Sequence, residues 1–253
     1  MSLLDTASLL LTPNAYKEGK LYSVIPSDGS GDMSVTRATT ATRVNSAGLV
    51  EIVPYNLLTY SQEFDNASWT LDGNGVGQSV TANYSISPDG TQNAYRLQLN
   101  KTGGTYSRIY QNVSSGTNDY SFTVYMKSNT SASQNVGLRL YTTDINCVVT
   151  TSWQRFELNA TVGPPQAQIL LFDSISGNDE IADISIWGAQ LVEGTNALPY
   201  QKTETRLNIP RLDYSNGTCP SLLVEPQRTN LALYSNALST GTNVVDASTI
   251  TAN

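Results

Sequence analysis

Residues 55 to 201 predict an all-β fold, a β-sandwich of jelly-roll type, and three observations carry that expectation. Nine strand-like segments follow one another with Gly, Asn, Pro and Ser turns between them, and no helical period runs through them. Tyr120-Ser121-Phe122-Thr123-Val124-Tyr125-Met126 shows the period of two that a half-buried strand requires. A short stretch also occurs twice. Tyr55-Asn56-Leu57-Leu58-Thr59-Tyr60-Ser61 returns as Thr229-Asn230-Leu231-Ala232-Leu233-Tyr234-Ser235, and Val80-Thr81-Ala82-Asn83 returns as Ile250-Thr251-Ala252-Asn253. One complete module and the start of a second, residues 229 to 253, are therefore expected, in a natural polypeptide that continues past Asn253 or whose remainder is disordered.

The expected strands of the complete module are Ala67 to Leu71, Gly77 to Ala82, Ala94 to Leu99, Ser107 to Val113, Tyr120 to Lys127, Asn135 to Thr142, Gln154 to Ala160, Gln168 to Phe172 and Ile181 to Leu191. In a sandwich such strands bury alternate residues between two sheets. Before them, residues 1 to 23 hold clustered leucines, Leu3, Leu4, Leu9, Leu10 and Leu11, broken by Pro13-Asn14 and Gly19. A segment this poor in apolar area must dock, on its own module or on a partner. Met33 to Val44, the turn Asn45-Ser46-Ala47-Gly48 and Leu49 to Val53 then predict a β-hairpin. Past the module, Ser221 to Glu225 reads as a strand stopped by Pro226. With residues 33 to 53 the connector would form one small β-unit, in which Arg37, Arg43, Arg206, Arg211 and Arg228 face Glu51, Asp213 and Glu225 across subunits or as exposed pairs.

Composition narrows the function. Of 253 residues 39% are hydrophobic and only 14% charged, against roughly a quarter charged in ordinary domains. Ser, Thr, Asn and Gln must therefore supply the surface, which suits an extracellular β-protein, or a face that meets sugars or copies of itself. A net charge of −7, with no run among the 14 basic residues, argues against nucleic acid. No segment reaches the roughly 18 apolar residues of a membrane span. Asp5 interrupts the apolar start and no basic stretch precedes it, so no signal peptide is expected and the chain should begin at Met1 in the cytosol. Cys147 and Cys219 are expected as free thiols, a single bridge between them being the alternative.

Two elements resemble those of bacteriophage fibre and appendage proteins. Val35-Thr36-Arg37-Ala38-Thr39-Thr40-Ala41-Thr42-Arg43-Val44-Asn45-Ser46-Ala47-Gly48-Leu49-Val50 is similar to a hairpin near the start of many of them. Pro210-Arg211-Leu212-Asp213-Tyr214 with Leu222-Leu223-Val224-Glu225-Pro226-Gln227-Arg228-Thr229-Asn230-Leu231 is similar to the element that usually follows closely. Here a whole module separates the two, which reads as a domain insertion. The module's ends, Asn56 to Trp69 and Ile186-Trp187-Gly188-Ala189-Gln190-Leu191 with Pro199-Tyr200, resemble those of a phage-borne domain similar to carbohydrate-binding modules. That resemblance implies a jelly roll whose sugar, where one binds, stacks on exposed aromatics.

Catalysis finds little support. Without histidine, Ser-His-Asp, Cys-His and His-zinc arrangements are excluded. Carboxylate pairs such as Glu63 with Asp65 or Asp179 with Glu180 lie in loop-like stretches and read as solvated. For sugar binding, Trp69, Tyr106, Tyr110 and Trp153, with Tyr84, lie near strand ends where stacking platforms stand, and each also reads as a packing residue, Trp187 most of all. No cofactor is expected. Sandwich modules of the type this chain resembles commonly hold a structural Ca2+, and the resemblance would make Asp65, Asp179 and Asp183 its conceivable donors.

The resulting expectation is an all-β chain: a jelly-roll sandwich inserted into a small β-hairpin joint, with an extended N-terminal anchor. Residues 1 to 23 anchor it to a capsid or tail, residues 24 to 54 and 202 to 228 are the halves of the joint, and residues 55 to 201 project as the sandwich. The resemblance implies a non-enzymatic virion protein made in the bacterial cytoplasm, a homo-oligomer and by preference a trimer, with other virion proteins as partners. A sugar-binding adhesin gripping host glycan is the alternative.

Overall fold

Alternation of apolar and polar residues builds two five-stranded antiparallel sheets packed face to face. The computed structural model describes residues 3–17, 19–36, 41–204, 209–217 and 219–224. The chain divides into two units, Met1–Leu222 and Leu223–Asn253, and every element below belongs to the first. The second module expected at 229 to 253 lies outside the described residues.

After one helical turn, α1 (Leu3–Thr6), come β1 (Leu10–Lys17), β2 (Lys20–Ile25) and β3 (Met33–Ser34), which form a three-stranded antiparallel sheet. The residues expected to anchor the chain fall here. Leu3 and Leu4 are in α1, Leu9 is 51% exposed, and Leu10 and Leu11 pair across to Ile25 and Ser23 in half-buried positions. The hairpin leans on the rest of the unit through the Tyr16 hydroxyl, which accepts a hydrogen bond from Gln201 Nε2 at 3.1 Å.

The joint hairpin is shorter than the sequence pattern suggests. Met33–Ser34 belongs to the first sheet, while β4 (Thr42–Val44) pairs with β5 (Val50–Ile52) about the turn Asn45–Gly48; residues 37–40 lie outside the described ones. Asn45 makes that turn by accepting from the amides of Ala47 and Leu49, both at 3.0 Å.

The sandwich holds ten strands: β6 (Thr70–Gly73), β7 (Ser79–Ser85), β8 (Ala94–Asn100), β9 (Tyr106–Asn112), β10 (Asn118–Ser128), β11 (Gln134–Leu140), β12 (Thr143–Val149), β13 (Gln154–Val162), β14 (Gln166–Phe172) and β15 (Ile181–Glu193). One sheet runs β13-β10-β15-β8-β7 and the other β12-β11-β14-β9-β6. Their inner faces meet in one core: Tyr95, Leu97 and Leu99 from β8 and Tyr120, Phe122, Val124 and Met126 from β10 on one side, and Val136, Leu138 and Leu140 from β11, Ile109 from β9 and Ile169 and Leu171 from β14 on the other. β12 escapes the sequence reading, which runs one strand on to Thr142. Tyr141 turns the chain with φ +53°, a left-handed conformation taken without the Gly or Asn that usually marks it.

Beyond the sandwich, β16 (Leu212–Asp213) pairs with β17 (Ser221–Leu222). This pair meets β4 although the whole sandwich lies between them in sequence. Val44 N donates to Asp213 Oδ1 at 2.8 Å, Tyr214 N to Val44 O at 3.0 Å, and Arg211 Nε to Thr42 O at 2.9 Å. Arg43 pairs with Glu51 at 2.7 Å within the chain; Arg37, Arg206, Arg228 and Glu225 lie outside the described residues.

The repeated stretch is the closure of the sandwich. Buried Asn56 donates from Nδ2 to Ala189 O (2.9 Å) and Gln201 O (3.2 Å), and accepts at Oδ1 from the amides of Leu58 (3.1 Å) and Leu191 (3.0 Å). Leu57 and Leu58 enter the core, Thr59 N donates to Gln111 Oε1 at 2.8 Å, and Ser61 N donates to Thr203 O at 2.9 Å. Chain start and chain exit are thereby clamped to β15.

Candidate functional site

Strict alternation on β9 and β14 decides what the second sheet shows to solvent. Ile109 on β9 and Ala167, Ile169 and Leu171 on β14 turn inward, so Tyr106, Arg108 and Tyr110 and, beside them, Gln168, Leu170 and Phe172 turn outward. The register sets Tyr106 opposite Phe172, Arg108 opposite Leu170 and Tyr110 opposite Gln168. On the flanking strands, Arg139 of β11 stands opposite Gln168 and Asp72 of β6 opposite Arg108.

These side chains surround a hollow of about 270 Å3 lined by Tyr106, Arg108, Arg139, Gln168, Leu170 and Phe172. Two guanidinium groups are fixed there by rings and carboxylates. Arg108 lies 4.4 Å from the Tyr110 ring centre and 5.2 Å from that of Tyr106, and pairs with Asp72 at 3.0 Å. Arg139 lies 4.4 Å from the Phe172 ring centre and pairs with Asp144 at 2.6 Å. Stacking and ion pairing together hold each fork rigid, which reduces the entropy a ligand would have to remove. Arg108 Nε is buried beneath the rings and has no hydrogen-bond partner. Leu170 floors the hollow at 1% exposure. Gly137, its neighbour on β11, has no side chain, and a Cβ there would come within 2.6 Å of Ile175 Cδ1; the bare position lets Ile175 lie down against the sheet.

Of the five aromatic residues expected from sequence as sugar contacts, Tyr106 and Tyr110 come together here and the other three do not; Tyr84 is on β7 of the other sheet, with Arg96 5.0 Å from its ring centre. Trp69 is 6% exposed, packs on Phe64 at 4.9 Å between ring centres and donates its indole N–H to Tyr60 O at 3.0 Å. It belongs to the core, so its ring has no face for a sugar. The loop before β6 gave no alternation from which that could be read. Trp153 stands against the other sheet, its indole N–H donated to Ile86 O at 3.0 Å and Lys127 Nζ 5.4 Å from its ring centre. Arg108, Arg139, Gln168 and Phe172 were missed, because the search followed aromatics at strand ends. The pattern Tyr106-x-Arg108-x-Tyr110 was the available signal.

The acidic residues are engaged elsewhere. Asp65 accepts from the Tyr95 hydroxyl at 2.8 Å; burial, with this carboxylate added, pushes the Tyr95 phenol well above its ordinary range. Asp179 accepts from Asn135 N at 2.8 Å, and Glu180 shares Lys101 Nζ with Asp173, at 3.0 and 2.6 Å. Asp183 takes the Arg96 fork, whose hydrogen bonds hold its carboxyl below the usual range against burial. The three acids available to Ca2+ thus serve three different donors, and among the described residues no cluster of three or more acidic or Cys side chains forms.

No known family model and no curated protein matches this sequence. Solved structures similar to it include the enzymatically active domain of bacteriophage CBA120 tailspike protein 4, at 18% identity and TM-score 0.38 over 54% of this chain and 21% of that one. The CBM22-1 xylan-binding domain of Paenibacillus barcinonensis Xyn10C is similar at 13% identity and TM-score 0.39, over 57% of this chain and 95% of that one. TmCBM61, solved with β-1,4-galactotriose, is similar at 15% identity and TM-score 0.37, over 55% and 99%. The chain thus spans 21% of the tailspike domain's length. The fold itself is given by the sheet order: this is an all-β sandwich.

Proposed function

We propose that this chain is a non-enzymatic attachment subunit, a fibre or fibre-base protein of a bacteriophage virion, whose sandwich holds surface glycan on the β9–β14–β11 face. The observation that carries the sugar reading is the open hollow in which the rings of Tyr106 and Phe172 offer apolar surface while Arg108 and Arg139 offer guanidinium groups, over a floor of buried Leu170 and Gln168. A pyranose needs both, C–H faces against rings and hydroxyls against fixed donors. The phage reading is supported by the two sequence elements that flank the sandwich. Attachment through the N-terminal sheet and the joint hairpin is supported by the apolar side chains they leave open, Leu9, Val24 and Met33 on one and Leu49, Val50 and Ile52, at 65%, 73% and 56% exposure, on the other. Such surface suits a capsid or tail protein, or further copies of the chain in a trimer.

A glycan array probed with the native chain and with Tyr106→Ala tests the sugar reading. Selective retention by the native chain, weakened about tenfold in a variant that melts normally, is expected. Equal retention by both would remove the site, and no retention by either would leave a purely structural appendage. Mass spectrometry of purified particles tests the virion assignment, which absence of its peptides would overturn.

A further inference from the structure

One row of polar side chains crosses the whole outer face of the sheet that carries the hollow. In sheet order it reads Asp144 on β12, Arg139 on β11, Gln168 on β14, Arg108 on β9 and Asp72 on β6. Register sets it: Asp144 stands opposite Arg139, Arg139 opposite Gln168, and Arg108 opposite Asp72. Arg108 closes the row on the diagonal, donating from Nη1 to Gln168 Oε1 at 3.2 Å. The order is acid, base, amide, base, acid, with both cations in the middle and both carboxylates at the rims.

Each cation is engaged before any ligand arrives. Arg139 turns the Nε–Nη2 edge of its fork onto Asp144 Oδ2, at 3.1 and 2.6 Å, and Arg108 turns Nη2 onto Asp72 at 3.0 Å. These are the N–H groups with which an arginine takes a ligand carboxylate. The acids are also the more exposed members, 36% and 27% for the Asp72 and Asp144 side chains against 25% and 15% for Arg108 and Arg139. An approaching anion therefore meets negative charge at least as soon as positive. At the Tyr106–Phe172 end, where Asp173 N donates to Thr105 O at 3.1 Å, Lys101 is shared by Asp173 and Glu180, which leaves a negative charge over. With the row balanced, its end acidic and the chain at −7 overall, an anion finds no net attraction here. A hydroxyl fares differently, because it donates and accepts at once and can lie against an arginine N–H and a carboxylate oxygen without breaking the pair.

We propose, resting on the reading that this face holds glycan, that it takes uncharged glycan and turns away glycan bearing carboxylate, sulfate or phosphate, and that Asp72 and Asp144 make the choice. Each aspartate occupies the arginine edge that an acidic sugar would need and repels the sugar's own charge. With the aspartates neutralised, both forks become available and the preference moves toward acidic sugars.

The test is retention of the full chain on the glycan array, supplemented with trisaccharides in matched pairs that carry an alcohol or a carboxylate at C6: glucose and glucuronate, galactose and galacturonate, mannose and mannuronate. Retained glycans are expected to be uncharged, with carboxylate counterparts held at least about tenfold more weakly. Their retention is expected to persist from about 0.05 M to about 0.5 M salt. The double variant Asp72→Asn, Asp144→Asn keeps the shape of both side chains and removes both charges; it is expected to hold the acidic members about tenfold better than the native chain does, a gain that the higher salt abolishes. The pair preference and salt response of the native chain decide the specificity even without the variant. Acidic members retained as well as their neutral counterparts, or native retention that falls steeply with salt, would overturn the specificity while leaving glycan binding in place. A normally melting double variant that gains no acidic glycan would overturn the role of the two aspartates. Retention of neither form would remove the glycan reading itself.

Discussion

Cys147 turns from β12 into the core at 3% exposure, whereas Cys219 is exposed, and both are free. Burial pushes the Cys147 thiol up to about 12, only partly opposed by its hydrogen bond with the Leu138 backbone. Because the thiolate is the nucleophile, iodoacetamide at neutral pH should label Cys219 in the folded chain and Cys147 only after unfolding. Equal labelling, read by peptide mass spectrometry, would show that the core opens. Asp89 gives a pH prediction. Burial alone would raise its carboxyl, but hydrogen bonds from Thr91, Ser87 and Asn93 outweigh burial and hold it at about 2. A depressed folded value means stability that is whole above the ordinary 3.8 and lost as pH falls toward about 2. Acid unfolding of Asp89→Asn should therefore be flatter across that window than that of the native chain; parallel curves would contradict the assignment. At this scale the sequence reveals which residues alternate but not which loop rings turn inward. Tyr106 and Tyr110 could be read from their strand, while Trp69, in a loop, could not.

A bulge in β15, where Thr123 pairs with Gln190 but Tyr125 with Trp187 and Gly188 has φ +65°, and the Asn56 clamp set the geometry of that strand and of the chain that leaves it. Asn56 saturates its amide with backbone groups of Leu58, Ala189, Leu191 and Gln201. Asn56→Ala strands several buried groups and should cost about 2–4 kcal/mol in denaturant unfolding, where a cost within about 0.5 kcal/mol would show that the clamp is not needed. Gly188 serves a turn of the backbone and a close approach together, since a Cβ there would lie 3.3 Å from the Tyr200 ring. Gly188→Ala should cost about 1–2 kcal/mol and change the near-ultraviolet signal of Trp187 and Tyr200; an unchanged signal would mean that Tyr200 does not depend on the bare position. The repeat in the sequence exposed the Asn56 stretch as a landmark. Its role stayed hidden because its partners are some 130 residues away. β12 was missed for a local reason, a tight turn on Tyr141 that lacks the usual turn residues.

For the molecule as a whole, the class of fold was legible because period-two patterning over long strands is the physical signature of a sandwich. The candidate binding face was legible only in part, because it is made by register. Tyr106, Arg139 and Asp72 share a surface only once β11, β14, β9 and β6 are set side by side. The account's central claim is that the outer face of that sheet receives glycan. The most direct measurement is a crystal structure of the chain with an oligosaccharide retained on the array. A pyranose within about 4 Å of Tyr106, Tyr110 or Phe172, hydrogen-bonded to Arg108 or Arg139, is the expected result. An oligosaccharide bound elsewhere, with that face bare, would contradict it.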